Sequence, residues 1–106
     1  MTPQYYIDLA LKDTECTAFQ IVDEFGIIQA AASVGKRKNS VNINYIGSKL
    51  PTLGGRLMKM IIEVFGGANK LTVTADGDAV GFYKKFGFRC IKKHGYVTNM
   101  TRKAGK

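Results

Sequence analysis

The chain has little sulfur, little histidine and little negative charge. Its two cysteines, Cys16 and Cys90, are isolated thiols without metal-ligand spacing. That argues against a disulfide framework and a zinc module, and makes a reducing cytoplasm the expected home. The single histidine, His94, stands in a basic turn, Lys92-Lys93-His94-Gly95, and is expected at the surface. No cluster of His, Cys and Asp suggests a metal site. Long apolar runs are missing too: Lys, Asn or Asp interrupts every segment well before the roughly 20 residues a membrane helix needs. The opening Met1-Thr2-Pro3-Gln4 lacks the basic start of a secretory leader. There are no internal repeats and no low-complexity stretches.

Acidic residues are outnumbered: 8 Asp and Glu face 16 Lys and Arg, a net charge of +8. Such an excess favours a polyanionic partner, whether nucleic acid, an acidic protein face or a phosphorylated small molecule. The positive charge is spread over Lys36-Arg37-Lys38, Lys84-Lys85, Lys92-Lys93 and the end of the chain. With 106 residues, 45% hydrophobic and 23% charged, the chain is sized for one folded domain with a modest core.

Periodicity supplies the architecture. Residues 5–11, 17–22, 27–34 and 41–46 read as four short strands in series, an antiparallel meander, with Asp23-Glu24-Phe25-Gly26 as a turn between two of them. Helical period then runs over residues 56–65 and stops at Gly66-Gly67. Residues 71–75 form a strand, an apolar helical stripe of Ala79, Phe82, Tyr83 and Phe86 follows, and Gly87 ends it. A strand over 88–92 and another over 96–101 complete the pattern. The expected fold is α/β in the α+β sense: a mixed, mainly antiparallel sheet with a central βαβ unit. One domain spans 1–101, and 102–106 is a frayed basic tail.

Two stretches carry chemistry. The corner Ala79-Val80-Gly81-Phe82-Tyr83-Lys84-Lys85-Phe86-Gly87-Phe88 resembles the helix-to-strand corner of the GNAT acetyltransferase superfamily, matching it at Ala79, Phe82, Tyr83, Lys85, Gly87 and Phe88. Lys49-Leu50-Pro51-Thr52-Leu53-Gly54-Gly55-Arg56-Leu57 is similar to that family's pyrophosphate loop, with Thr52 in place of a glycine and Lys49 in place of the usual Gln or Arg. Independently of any family, glycines before a helix let backbone N–H groups approach an anion, and the helix N-terminus adds partial positive charge. The two motifs stand in the family's order, one helix and one strand apart.

The resemblance implies an acetyl-coenzyme A-dependent N-acetyltransferase. Tyr83 would be the general acid that protonates the departing thiolate. Tyr45, Ile46 and Gly47 would pair with the pantetheine arm. Lys49, Thr52, Leu53, Gly54, Gly55 and Arg56 would hold the pyrophosphate, and Asp76 and Phe82 would adjoin the cofactor. Asp76 stands seven residues before Tyr83, where the family often has Asn; it and Asp78 are also expected to cap the corner helix. The family's usual two helices after its first strand have no room between Lys12 and Cys16. This would be a minimal member with an open acceptor side, or one completed by a second copy of the chain. Such a site suits a primary amine on an acidic macromolecule, chiefly protein. The general base is not legible: Glu15 is one candidate, Asp23 and Glu24 are ordinary turn residues, and Asn42 and Asn44 could hold a water. Two other classes stand beside the enzyme. One is a degenerate acetyltransferase fold that binds a protein partner. The other is a basic nucleic-acid module stacking bases on Tyr5, Tyr6, Tyr45 and Tyr96.

Overall fold

The computed structural model describes residues 2–13 and 16–105. Glu15, a candidate base, and Lys106 of the tail lie outside the described residues. Helix α1 covers Pro3–Lys12, strands β1, β2 and β3 cover Thr17–Val22, Ile28–Lys36 and Ser40–Ser48, and helix α2 covers Pro51–Ile61. A π-helical turn, Ile62–Gly66, extends α2 before β4, Lys70–Asp76. A 3-10 turn, Gly77–Ala79, leads into α3, Val80–Lys84, and strands β5, Arg89–His94, and β6, Val97–Arg102, close the order.

All six strands join one sheet in the order β1-β2-β3-β4-β6-β5. The β3–β4 pairing is parallel and every other pairing antiparallel. The mixed α+β class and the βαβ unit around α2 are therefore as the periodicity predicts. The meander has three strands, not four. Residues 5–11 are helix, because Thr2 and Pro3 make a strong helix start that outweighs a weak alternation. The Thr2 side chain accepts from the Tyr5 amide at 3.3 Å, and Pro3 occupies the first turn, where its missing N–H costs nothing. Ile7 and Ala10, three apart, then share one face and are both fully buried.

The alanine run of β2 explains how helices cover both faces of the sheet. Successive side chains of a strand alternate between faces. Ala30, Ala32 and Val34 join the larger core with Leu53, Leu57, Met58 and Ile61 of α2, whereas Ala31 packs with Ile7 and Ala10 of α1. Leu71, Val73, Ala75 and Met100 extend the larger core across β4 and β6. Helix α2 starts five residues before the expected Arg56 because Pro51 opens it and Leu53, Leu57 and Ile61 are spaced four apart.

The expected loose tail is tied down as far as it is described. Arg102 belongs to β6 and its Nε donates to the Phe86 carbonyl at 2.9 Å, and the Gly105 amide donates to the Gly66 carbonyl at 2.9 Å. At the sheet edge β5 is exposed along its whole length, and Arg89, Lys92 and Lys93 keep that edge charged.

Gly47 is where α1 meets β3. A Cβ there would stand 2.7 Å from Tyr6 Cβ, 2.8 Å from the Ile7 amide nitrogen and 2.8 Å from the Pro3 carbonyl oxygen. Two of those neighbours are backbone and cannot swing aside. Gly47→Ala is therefore expected to displace α1 and lower stability by about 1–3 kcal/mol, the usual cost of overpacking. Urea unfolding checks this, and an unchanged midpoint would mean that α1 is loosely seated.

Candidate active site

The parallel ladder between β3 and β4 is short. It pairs Ser40–Ile43 with Lys70–Val73 and goes no further, although β3 runs on to Ser48 and β4 to Asp76. The break has a local cause. Ile43 pairs with Val34 and Tyr45 with Ser33, so Asn44 is an extra residue on β3, a bulge that bends the strand. Past it β3 stays on β2 while β4 stays on β6. The splay opens a cleft of about 220 Å3 between Asn44, Tyr45 and Ile46 on one wall and Thr74, Ala75 and Asp76 on the other.

Two phenols reach this cleft from opposite sides of the sheet. Tyr83, from α3, is 4% exposed and is packed edge-on against Phe82 and Phe88, with ring centroids 5.2 and 5.5 Å away. Its position follows from the corner. Gly87 takes φ +89°, and the amides of Phe86 and Phe88 both donate to the Tyr83 carbonyl, at 3.0 and 3.3 Å, so the chain turns tightly after one short helix. Tyr6 comes from α1. Sequence reasoning missed it because α1 read as a strand; the helix start at Thr2-Pro3 was the available signal. Burial, then the charge of Asp76, pushes up the pKa of each phenol. Both therefore hold their protons through the neutral range. Asp76 stands at the N-cap position without making a capping bond, and Asp78 accepts from Tyr96 Oη at 3.0 Å, so neither carboxylate caps the corner helix as expected.

The glycines at the start of α2 make packing contacts. Gly54 and Gly55 lie in the first turns of the helix, neither with positive φ. A Cβ at Gly54 would touch the Phe82 ring at 3.7 Å, and one at Gly55 would touch Phe86 at 3.6 Å. They let the aromatic face of α3 sit directly on α2. Lys49, Thr52 and Arg56 are exposed around the same helix end, and Leu53 is turned into the core. Thus Tyr45, Ile46, Asp76 and Tyr83 come together at the cleft, and Phe82 bridges it to the α2 terminus. Gly47 lies instead under α1.

A second hollow, of about 360 Å3, shares Ile43, Asn44, Tyr45 and Thr74 with the cleft and adds Asp13 and Asn42. Asp13 Oδ2 accepts from Ser33 Oγ and from Asn44 Nδ2, both at 3.0 Å. Asn42 Nδ2 donates to Asn44 Oδ1 at 2.7 Å, and Thr72 Oγ1 donates to Asn42 Oδ1 at 2.7 Å. Asn42 and Asn44 are thus spent on one another, on Thr72, and on Asp13 and Cys16, whose Sγ also accepts from Asn44 Nδ2 at 3.2 Å. The Asn44 bond above all holds the Asp13 carboxyl below the usual carboxylate range. Asp23 is a turn residue as expected, its Oδ1 accepting from the amides of Phe25 and Ile27 at 2.8 and 3.0 Å. His94 is exposed on β5, and no acidic or His/Cys group among the described residues is arranged for a metal.

The splayed parallel strand pair, the buried phenol lining it and the glycine-bearing helix N-terminus lie together in one region of the fold. The family model of the GNAT acetyltransferase domain matches residues 11–101, and the chain belongs to that family. Solved structures agree on the fold. The ribosomal-protein-S18-alanine N-acetyltransferase of Escherichia coli superposes with TM-score 0.78 at 15% identity, over 98% of this chain and 87% of that one. Tetrahymena GCN5 gives 0.72 at 19% identity, over 94% and 75%. The PaiA N-acetyltransferase of Thermoplasma acidophilum, in complex with coenzyme A, gives 0.69 at 14% identity, over 93% and 67%. Among curated proteins no sequence matches the chain. The family uses acetyl-coenzyme A and an acceptor with an amine.

The burial of Tyr83 has an alkaline consequence. Its folded pKa is raised above the unfolded value of 10.0, so the unfolded chain loses this proton first and stability falls as pH rises above 10.0. Ultraviolet titration should show Tyr83→Phe and the parent chain superimposing up to the alkaline unfolding transition, with the parent unfolding at lower pH. A phenolate signal lost in the variant near pH 10 would place Tyr83 in contact with solvent.

Proposed function

We propose that this protein transfers an acetyl group from acetyl-coenzyme A to a primary amine on a protein, with Tyr83 as general acid. The observation that carries the reading is the buried, protonated Tyr83 lining the β3–β4 cleft. The cofactor supplies a reactive acetyl thioester. The residues present fit it: past Ile43 and Val73 each strand has one edge without a partner strand, and backbone groups on such edges need hydrogen-bond partners. In this reading Tyr45 and Ile46 receive the pantetheine arm along that edge. The N-terminal turn of α2 around Thr52, Leu53, Gly54 and Gly55, with Lys49 and Arg56, faces the pyrophosphate; the Leu53 amide already donates to the Leu50 carbonyl at 3.1 Å, which leaves the Thr52 amide and the helix dipole for the anion. Phe82 packs behind the arm, and Asp76 helps keep the phenols protonated. Tyr83 then holds its proton on Oη until a sulfur leaving group departs, and delivers it there.

The protein acceptor rests on the shape of the sheet. Helix α1 packs on β2 and β3, so the acceptor side is not bare as the sequence suggested. Thr74 and the whole of β5 nevertheless stay exposed. A broad face suits an acceptor that brings its own contact surface, and a net charge of +8 suits one whose surroundings are acidic. Cys90 is an exposed thiol, which fits work in the cytoplasm.

Acetyl-coenzyme A at a hundredfold excess over Kd is expected to raise Tm by about ten degrees, the effect of roughly 2.7 kcal/mol on a chain of this size. No shift at millimolar cofactor would favour a partner-binding relic instead. Tyr83→Phe should lower turnover about a hundredfold with cofactor affinity nearly unchanged. Removing Lys49 and Arg56 together should weaken coenzyme A about tenfold, at about 1 kcal/mol or less per exposed charge, and leave pantetheine binding alone.

A further inference from the structure

The hollow beside the cleft differs from it in chemistry. Asp13, Asn42, Asn44, Tyr45 and Thr74 line it, and no lysine, arginine or histidine does. Asp13 is its one carboxylate among the described residues. In a chain of net charge +8 this is a local reversal of sign. The groups that hold Asp13 are Ser33 Oγ and Asn44 Nδ2, each at 3.0 Å, and the Cys16 side chain, none of them a cation. They fix the carboxylate in place and favour its ionised form without cancelling its charge. Asn44 is held in turn by Asn42, and Asn42 by Thr72 on the next strand, so the whole floor is rigid and oriented. What complements a fixed anion in an uncharged polar hollow is a small cation. Its position matters as much as its charge. The hollow and the cleft share the walls Asn44, Tyr45 and Thr74, so a group bound at Asp13 stands directly beside the cleft.

We infer that Asp13 anchors the protonated amino group of the acceptor beside the β3–β4 cleft. The inference rests on the acetyl-transfer reading for its purpose, though not for its test. The acceptor docks as an ammonium ion and gives one proton to water before its nitrogen can act as a nucleophile. A hydroxyl or an alkyl group of the same size brings no charge to Asp13 and is turned away. Asp13 is thus a specificity-determining residue for primary amines, and the charge of the hollow is matched to the target nitrogen while the rest of the protein is matched to acidic surroundings.

The test needs no cofactor. Isotope-labelled protein is titrated with Nα-acetyl-lysine amide and, separately, with its uncharged analogue Nα-acetyl-norleucine amide, following backbone amide shifts at Asn44 and Thr74. The expected result is saturable shifts with the cation in the millimolar range, at least tenfold weaker binding of the neutral analogue, and at least a tenfold loss in Asp13→Asn. Exposed Glu63→Gln is the control and should bind as the parent does. Because Asp13→Asn also loosens the end of α1, a second variant is needed. Thr74→Lys puts a competing ammonium into the hollow without touching the Asp13 bonds, since Thr74 Oγ1 donates to Asn99 instead. It should lose the cation to the same degree with an unchanged melting temperature. Equal binding of both probes, no binding of the cation at tens of millimolar, or full binding by a folded Asp13→Asn or Thr74→Lys would each overturn the inference. Ammonium binding without any acetyl transfer would leave it standing and remove the acetyltransferase reading, so the two failures are distinguishable.

Discussion

The site depends on one missing set of hydrogen bonds, those that β3 and β4 would make past Ile43 and Val73. A fully paired parallel ladder would leave no room between the strands. The extra residue Asn44 prevents it by bending β3. Each strand is then held from its outer side, β3 by β2 and β4 by β6, so the gap stays open without help from a ligand. The same bulged residue is tied to Asp13 and to Asn42. One irregularity therefore opens the cleft and organises the hollow beside it.

Small residues bring the working side chains to that gap. Gly47 lets the backbone of α1 lie on β3, which carries Tyr6 to the cleft from one side of the sheet. Gly54 and Gly55 let Phe82 and Phe86 lie on α2, which fixes α3 and with it Tyr83. Ala30, Ala31 and Ala32 let both layers approach the same strand. In each case a larger residue would cost packing at one place and displace a phenol at another. Packing and chemistry are linked through these contacts.

Much of this was legible in the sequence, and what was not has a physical reason. Strands β1 to β3 and the strand–helix–strand unit showed in their alternation and in the helical period of residues 56–65. The corner was legible through Gly87, expected to end the helix and found just past it with φ +89°. Helix α1 was missed because its capping signal is only two residues long and its buried face is only Ile7 and Ala10. The start of α2 was misplaced because Gly54-Gly55 reads as a loop when the reason for glycine is a contact with Phe82 and Phe86, about thirty residues away in sequence. Asp13 gave no local sign at all. Apart from nearby Cys16, its partners Ser33 and Asn44 are 20 and 31 residues distant, and the sheet brings them together.

The central claim is that the β3–β4 splay is the cofactor slot, and hydrogen exchange resolved to single amides tests it most directly. With coenzyme A bound, amides in the Tyr45–Ile46 stretch of β3, together with that of Thr52 at the start of α2, should exchange more slowly, while β1 and β5 are unchanged. Protection confined to the basic edge around Arg89, Lys92 and Lys93, with the cleft strands unaffected, would contradict the account and mark the coenzyme as a polyanion held by surface charge.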